Sequence, residues 1–164
     1  LLKDRIPKLR LLLAGQGPFQ ADYARMAAEL GITDNVWLLG YRSDMDVLLS
    51  AADVAVSSSL REGLGINLVE AMATGLPVVA TRIRGHADLV RDGENGFLVE
   101  PGDARAMADR LQELYKSPKM RERMGQKAIA LAQPYMLENA KAETIRIYES
   151  VIRMKENRVD TAGS

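Results

Sequence analysis

The chain has 164 residues, of which 47% are hydrophobic and 27% charged, and its 22 basic residues balance 22 acidic residues. This length and composition fit one globular domain with a sizeable core and exclude a disordered or fibrous chain. The zero formal net charge disfavours a dedicated nucleic-acid-binding protein, and the lack of cysteine excludes disulfides, thiolate metal ligands and a cysteine nucleophile.

The first part of the chain alternates short apolar runs with helical patterns, and turn residues separate them. In chain order, the pattern predicts a strand over residues 9–14, a helix over 19–30, a strand over 36–39, a short helix through Ala51 and a strand over 54–57. The turn after the first strand reads GQGP, which begins like a dinucleotide-binding fingerprint. That fingerprint needs a third glycine where this chain has Gln20, so we interpret the turn as a tight strand-to-helix connection.

Helices dominate the second part of the chain. The pattern predicts, in order, a largely buried helix ended by Gly75, strands over 78–81 and 96–99, and helices that begin near Gly102, near Ser117 and near Leu137. We expect the last helix to end near Met154. The stretch that follows, ENRVDTAGS, is polar, so we expect a folded unit over residues 1–155 and a loose tail over 156–164.

Apolar strands that alternate with helices predict an α/β fold, built on a mostly parallel sheet with helices on both faces. The carboxyl ends of parallel strands lie at one edge of such a sheet, and ligands bind in the crevice outside that edge. We therefore expect four segments to meet there. They are residues 15–18, 40–42, 57–65 and 81–86.

The segment REGLGINLVEAMATGLPVVAT, residues 61–81, places Glu62 beside Gly63 and Gly65 and a second carboxylate, Glu70, inside an apolar helix. The glycines leave backbone amides uncovered at the helix start, where an anion can bind. A carboxylate in buried surroundings needs hydrogen-bond donors, and sugar hydroxyls are such donors. Phosphate at the amides with carboxylates on ribose and hexose hydroxyls describes a sugar nucleotide. The alternative is that Glu62 only favours the helix dipole and Glu70 faces solvent.

The only histidine, His86, follows Arg84 and Gly85 after the fourth predicted strand. A single histidine is usually a polar loop residue, but the expected place of His86 at the mouth of the crevice makes it a candidate for contact with a ligand. Arg82 and Arg84 could bind phosphate or remain solvated loop charges, and the residues alone leave both interpretations open.

Four stretches carry a resemblance to a known family. They read LLLAGQGP, DNVWLLGYRSDMDVLLSAADVAVSSS, REGLGINLVEAMATGLPVVAT and RGHADLVRDGENGFLVEPGD. Together they resemble glycosyltransferase family 4, and the third contains the family's signature of two glutamates separated by seven residues. The family consists of retaining enzymes of GT-B architecture, in which two Rossmann-like domains face each other across a cleft. The resemblance implies that residues 1–155 form the C-terminal, donor-binding half.

The resemblance also implies roles for individual residues. Glu62 matches the first signature glutamate, which lies by the transferred hexose near the reacting carbon, and Glu70 matches the second, which holds the ribose hydroxyls. The other matched donor-binding positions offer backbone groups to the base, the diphosphate or the sugar. They are Gly15, Tyr41, Arg42, Gly63, Leu64, Gly65 and Ile66. The family uses no metal and no cofactor, since the nucleotide sugar is its substrate.

Two features depart from a complete enzyme of the family. The triplet RGH resembles a subset that builds capsule or exopolysaccharide, although Ala87 and Asp88 stand where that subset usually has arginine and glutamate. The family's donor domain begins with a further strand and helix, which supply an arginine and a lysine for the diphosphate. We expect these elements and the N-terminal acceptor domain to be missing here, and the fragment to be inactive alone.

The expected partners are a nucleotide sugar, with UDP as the commonest nucleotide of the family, and a glycan or lipid-linked acceptor held by the missing domain. No apolar run approaches the ~20 residues that a bilayer requires, so we expect a cytoplasmic protein without a membrane span, whose full enzyme can bind a membrane peripherally. We expect no nucleic-acid partner. Two alternatives stay open: another GT-B enzyme, such as an epimerase or phosphorylase, and a non-catalytic interaction module.

Overall fold

A computed structural model describes the backbone of residues 1–162 and the side chains of residues 1–154. Strands and helices alternate along the chain, as the sequence predicts. The elements are β1 (Leu11–Ala14), α1 (Gln20–Glu29), β2 (Val36–Gly40), α2 (Met45–Ser50), β3 (Ala55–Ser57), α3 (Ile66–Ala73), β4 (Val78–Thr81), α4 (Arg84–Ala87), β5 (Gly96–Val99), α5 (Ala104–Lys116), α6 (Pro118–Ala132) and α7 (Leu137–Ala162).

All strand pairs are parallel, which confirms the predicted α/β class. The strands form two sheets, one with the order β1–β2 and one with the order β3–β4–β5. The sequence predicted a single sheet, and within residues 1–162 no ladder joins β1 or β2 to β3. Leu11, Leu13 and Val56 are each more than one third exposed, so these strands are less covered than β4 and β5.

The core is built on both faces of β4 and β5. Side chains alternate between the faces of a strand, so Val78 and Ala80 pack with Leu68 of α3, whereas Val79 packs with Leu114 of α5 on the opposite side. α6 contributes to both clusters. All four residues of β4 are buried, as expected of a parallel strand with helices on both faces. This rigid centre fixes the ends of β3 and β4, from which the candidate site is built.

Two helices differ from the prediction. The segment after β4 forms a one-turn helix, α4, where a loop was expected. The last helix continues to Ala162 instead of ending near Met154, so the backbone of 156–162 is helical where a loose tail was expected, and Gly163 and Ser164 lie outside the described residues. Among the helices described, none combines the length and the hydropathy that crossing a bilayer requires.

α3 and α6 meet through two glycines. Gly75 ends α3 with a φ of +83°, a left-handed conformation that glycine adopts without steric cost. Gly125 of α6 lies against it so closely that a Cβ atom at position 125 would stand 2.1 Å from the Gly75 carbonyl oxygen. This backbone contact sets the distance between the two helices and therefore the position of α3.

Candidate functional site

The connection between β3 and α3 carries the first signature glutamate. We call residues 58–65 the Glu62 loop. β3 ends at Ser57, and α3 begins where the carbonyl oxygen of Gly65 accepts hydrogen bonds from the amides of Leu68 (2.9 Å) and Val69 (3.1 Å). Glu62 is exposed in this loop, and its Oε1 accepts a hydrogen bond of 3.0 Å from the Ser59 hydroxyl.

The amino end of α3 is open to solvent. Leu64 is 44% and Ile66 64% exposed, and Gly63 has open space where a Cβ would stand. Gly65 is buried, and a Cβ atom at this position would lie 3.6 Å from Cδ2 of His86. The loop therefore presents Glu62 at a helix start, where amides attract anions, while the Ile66 amide donates a 2.9 Å hydrogen bond to the Leu64 carbonyl oxygen.

Glu70 lies on the exposed face of α3. Residues three and four apart share a helix face, so Glu70 stands one turn from Ile66 and beside Asn67, and all three are exposed. Leu68 and Met72 form the buried face. The prediction that Glu70 stands in buried surroundings is wrong, because the apolar neighbours in sequence point away from it. Ile66, one turn away on the same face, is exposed as well. Glu70 is therefore solvated in the free chain and open to a ligand.

His86 is not at the surface. It lies in α4, is fully buried, and both ring nitrogens have partners: Nδ1 lies 2.9 Å from the Thr81 carbonyl oxygen and 3.2 Å from Thr81 Oγ1, and Nε2 lies 3.1 Å from Ser57 Oγ. The expectation of a loop histidine in contact with a ligand is wrong, since no part of the ring is accessible. The one-turn helix carries the side chain inward instead.

Arg82 is paired with carboxylates. Its guanidinium lies 3.0 Å from Asp92 Oδ2 and 3.2 Å from Glu100 Oε1. Of the two interpretations left open for Arg82, a phosphate ligand or a solvated charge, the structure favours the second, because the side chain is exposed and forms two surface ion pairs.

A second group of predicted residues lies at the carboxyl ends of β1 and β2. Gly15 has a φ of +135° and its amide donates a 2.7 Å hydrogen bond to the Gly40 carbonyl oxygen. Tyr41 and Arg42 follow directly and are exposed. A pocket of about 240 Å³ adjoins this turn, with Phe19 and Tyr23 of the first helical segment in its lining. The structure thus places Gly15 and Tyr41 at one edge, as predicted.

A larger depression does not belong to the candidate site. Its volume is about 370 Å³, and its lining includes Gly93, Glu94 and Arg123. Gly93 and Glu94 precede β5, so they lie at the amino end of that strand, whereas the predicted site residues follow the carboxyl ends of their strands. The depression therefore lies at the amino end of β5, away from the strand ends that carry the predicted site residues.

The side chain of Arg42 is held by Asp44. Its Nε donates a 2.8 Å hydrogen bond to Oδ1, and Nη2 donates one of 2.5 Å to Oδ2. These hydrogen bonds lower the pKa of Asp44 below its ordinary value, and the same interaction raises the pKa of Arg42. The backbone of Tyr41 and Arg42 stays exposed while the guanidinium is occupied.

Asp44 should titrate below the usual range of an aspartate. Because the pKa is lower in the folded than in the unfolded state, its ion pair stabilises the fold above the unfolded pKa, and this contribution is lost as the pH falls through the folded pKa. An NMR titration of the Asp44 carboxyl carbon measures it. Arg42→Gln should return the pKa towards its ordinary value, whereas Arg10→Gln, a change at another exposed arginine, should not; an unchanged pKa in Arg42→Gln would contradict the assignment.

The sequence indicated Glu62 and Glu70 as site residues, but it did not indicate the residues that support them. Ser57 and Thr81 are the last residues of β3 and β4, which stand side by side, and Gly85 contacts the Glu62 loop. The sequence signal that could have indicated Ser57 and Thr81 is their position as polar residues at the ends of two apolar strands. Their partner, His86, could not be inferred, because its burial depends on the turn made by α4.

Comparisons with known proteins identify the family. Residues 1–131 match the family described as Glycosyl transferases group 1. EpsD of Bacillus subtilis (strain 168), provisionally named a glycosyltransferase, is 42% identical over 154 residues, which cover 94% of this chain and 40% of EpsD.

Two solved structures share the fold. A variant of S. aureus TarM, in complex with fondaparinux, alpha-GlcNAc-glycerol and UDP, has a TM-score of 0.83 and 27% identity over 90% of this chain and 30% of TarM. Anabaena HepE in complex with UDP has a TM-score of 0.76 and 29% identity over 85% of this chain and 41% of HepE. The chain spans well under half the length of these relatives. The match over most of its residues shows that the chain belongs to the glycosyl transferases group 1 family.

Proposed function

We propose that this chain is the donor-binding part of a retaining glycosyltransferase that uses a UDP sugar. The observation that carries the proposal is the pair of exposed carboxylates, Glu62 and Glu70, on either side of the open amino end of α3. The naming of EpsD and the presence of UDP in the TarM and HepE structures support it. A sugar nucleotide has the matching groups, because it joins a diphosphate to two sets of sugar hydroxyls.

Each side chain has a proposed role. Glu70 accepts hydrogen bonds from the ribose hydroxyls, and the amides of residues 64–66 stabilise the diphosphate. Glu62 faces the hexose. The exposed backbone at Tyr41 and Arg42 receives the base, and Gly15 lets the neighbouring turn approach it. No metal takes part in these roles.

The proposed reaction moves the hexose to an acceptor hydroxyl with retention at the anomeric carbon. The bond from that carbon to the diphosphate oxygen breaks, a bond to the acceptor oxygen forms, and the proton of the acceptor hydroxyl leaves with the diphosphate. Negative charge then grows on the diphosphate beside the α3 amides, and positive charge grows on the sugar ring beside Glu62. Charge stabilisation of this kind needs donors and carboxylates that are fixed before the reaction.

We propose further that residues 1–155 act as the donor domain of a longer protein, in which another domain holds a glycan or lipid-linked acceptor. Support comes from the divided sheet. β1 and β3 each pair with one neighbour only within the described residues, and doubly wound folds join such halves through a central parallel strand. An added strand that pairs with both would also cover the exposed Leu11, Leu13 and Val56.

UDP should bind this chain, and Glu70→Ala should weaken the affinity by about 10- to 100-fold, the usual effect of removing a charged partner from hydrogen bonds. Isothermal titration calorimetry with UDP, GDP and ADP measures this and identifies the base. Glu122→Ala, a change at an exposed glutamate of α6, is the matched control and should leave the affinity unchanged. If the protein binds none of the three nucleotides, even when it is extended by a further strand and helix, it is an interaction module instead.

A further inference from the structure

The buried imidazole of His86 has a hydrogen-bond partner at each ring nitrogen. Its Nδ1 lies 2.9 Å from the Thr81 carbonyl oxygen, which can only accept, so Nδ1 carries a proton. In the neutral ring Nε2 is then an acceptor, and the Ser57 hydroxyl, 3.1 Å away, donates to it. The hydrogen-bond partners therefore assign the tautomer, and they tie the end of β3 to the end of β4 through one side chain.

Two more hydroxyls extend this arrangement to Glu62. Thr81 Oγ1 donates to the Ser59 carbonyl oxygen at 2.5 Å, and Ser59 Oγ donates to Glu62 Oε1 at 3.0 Å. The hydroxyls of Ser57, Ser59 and Thr81 thus have separate acceptors. The longer contact of 3.4 Å between Ser57 Oγ and Ser59 Oγ is not needed to satisfy any of them. The network runs from a buried ring to an exposed carboxylate.

The backbone of the Glu62 loop also rests directly on α4. A Cβ atom at Gly85 would stand 2.7 Å from the Glu62 carbonyl oxygen and 2.8 Å from that of Gly63. At the other end of the loop, a Cβ at Gly65 would lie 3.6 Å from His86 Cδ2, an ordinary contact. Steric contact and hydrogen bonds hold the same eight residues, although the loop is exposed on its outer side.

We propose that His86 is a positioning residue: it fixes the Glu62 loop through Ser57 and Thr81, and so places the Glu62 carboxylate. This inference rests on the proposed function in one respect, because the proposed function supplies the substrate that Glu62 faces. Any buried histidine needs partners for its ring nitrogens, but here one partner, Thr81, also donates a hydrogen bond to the Ser59 carbonyl oxygen of the Glu62 loop. His86 itself touches no ligand, because it is inaccessible.

NMR order parameters of the chain test the proposal without reference to activity. Rigid backbone amides have values of about 0.85, and flexible ones fall below about 0.6. His86→Phe keeps a ring and removes both nitrogens. The order parameters of the Glu62 loop amides should therefore fall from the rigid to the flexible range, while those of the β5 amides stay in the rigid range. His86→Gln can place a carbonyl oxygen near the position of Nε2, and it should restore part of the rigidity.

Ser57→Ala is the second variant, since it leaves the core ring in place. It should loosen the Glu62 loop in the same direction, and the ¹⁵N shifts of the imidazole should report a protonated Nδ1 in the unsubstituted protein. Unchanged order parameters of the loop in both variants would overturn the proposal. Loosening of the whole chain, β5 included, would also overturn it and would leave His86 as a core residue.

A kinetic test in the enzyme that carries this chain separates the inference from the proposed function. In Ser57→Ala and His86→Phe, kcat should fall by up to about 100-fold, because small displacements of a reacting group have effects of that size, whereas the UDP dissociation constant should stay within about threefold. A fall in UDP affinity with unchanged kcat would overturn the positioning role. Absence of UDP binding and turnover in the unsubstituted enzyme would instead refute the proposed function, while the order parameters still decide whether His86 holds the loop.

Discussion

Glu62→Gln should lower kcat for hexose transfer by about 100- to 1,000-fold in the enzyme that carries this chain, as the loss of one preorganised charge-stabilising group does elsewhere. Glutamine keeps the shape of the side chain and its acceptor for the Ser59 hydroxyl, but it removes the negative charge beside the developing positive charge of the sugar ring. Affinity for UDP should change by less than about threefold, because the charge matters at the hexose. Initial rates with a UDP sugar, together with calorimetry, measure both quantities.

The control for this change is Glu122→Gln, which alters an exposed glutamate of α6 in the same way. It should leave both kcat and UDP affinity unchanged. If Glu62→Gln kept full turnover, the carboxylate would have no part in the reaction. If it lost UDP affinity in proportion to turnover, Glu62 would act in binding the nucleotide and not in stabilising the transition state.

Gly125→Ala should destabilise the fold strongly for so conservative a change. The new Cβ would stand 2.1 Å from the Gly75 carbonyl oxygen, so α6 and α3 must move apart by more than 1 Å, and overpacking of this kind costs about 3 kcal/mol. Alanine recovers about 1 kcal/mol through its better helix propensity. The net loss of about 2 kcal/mol should lower the melting temperature by about 4 to 8 °C.

Thermal and urea unfolding of Gly125→Ala beside Gln126→Ala measure this loss. Gln126 is the next residue of α6 and is exposed, so its replacement should change the free energy of unfolding by less than about 0.5 kcal/mol. Equal stability of the two variants would show that the contact between the glycines can relax at little cost. Because α3 carries Glu70, UDP affinity should also fall in Gly125→Ala at temperatures where the variant remains folded.

The sequence predicted the strands and helices well where local pattern decides the structure. β4 and β5 are continuous apolar runs between turn residues, and the structure places them at the predicted positions. The prediction of one sheet was wrong, because pairing between distant strands depends on which neighbours are present and not on the apolar character of β1 or β3. The end of the last helix was placed too early, since polar composition alone does not end a helix.

The surroundings of individual side chains were harder to predict than the elements. The surroundings of Glu70 were predicted from its immediate neighbours in sequence. A helix has 3.6 residues per turn, however, so Glu70 lies with Ile66 and Asn67 on the outer face. His86 was predicted to lie in a loop, but this segment forms the one-turn helix α4. Its partners Ser57 and Thr81 lie 29 and 5 residues away in the chain, and parallel strands bring them together.

The inner and outer sides of the Glu62 loop and of the start of α3 differ in how well they tolerate substitution, which has a consequence for how such proteins diversify. The inner side of the loop is fixed by Gly65, Gly85 and His86, which evolution can alter only at a cost to folding. Leu64 and Ile66 project outward and contribute little to the core, so substitutions there should be nearly neutral for stability. A lineage can therefore vary the surface beside the proposed donor site at these two positions while it keeps the carboxylates and their support unchanged.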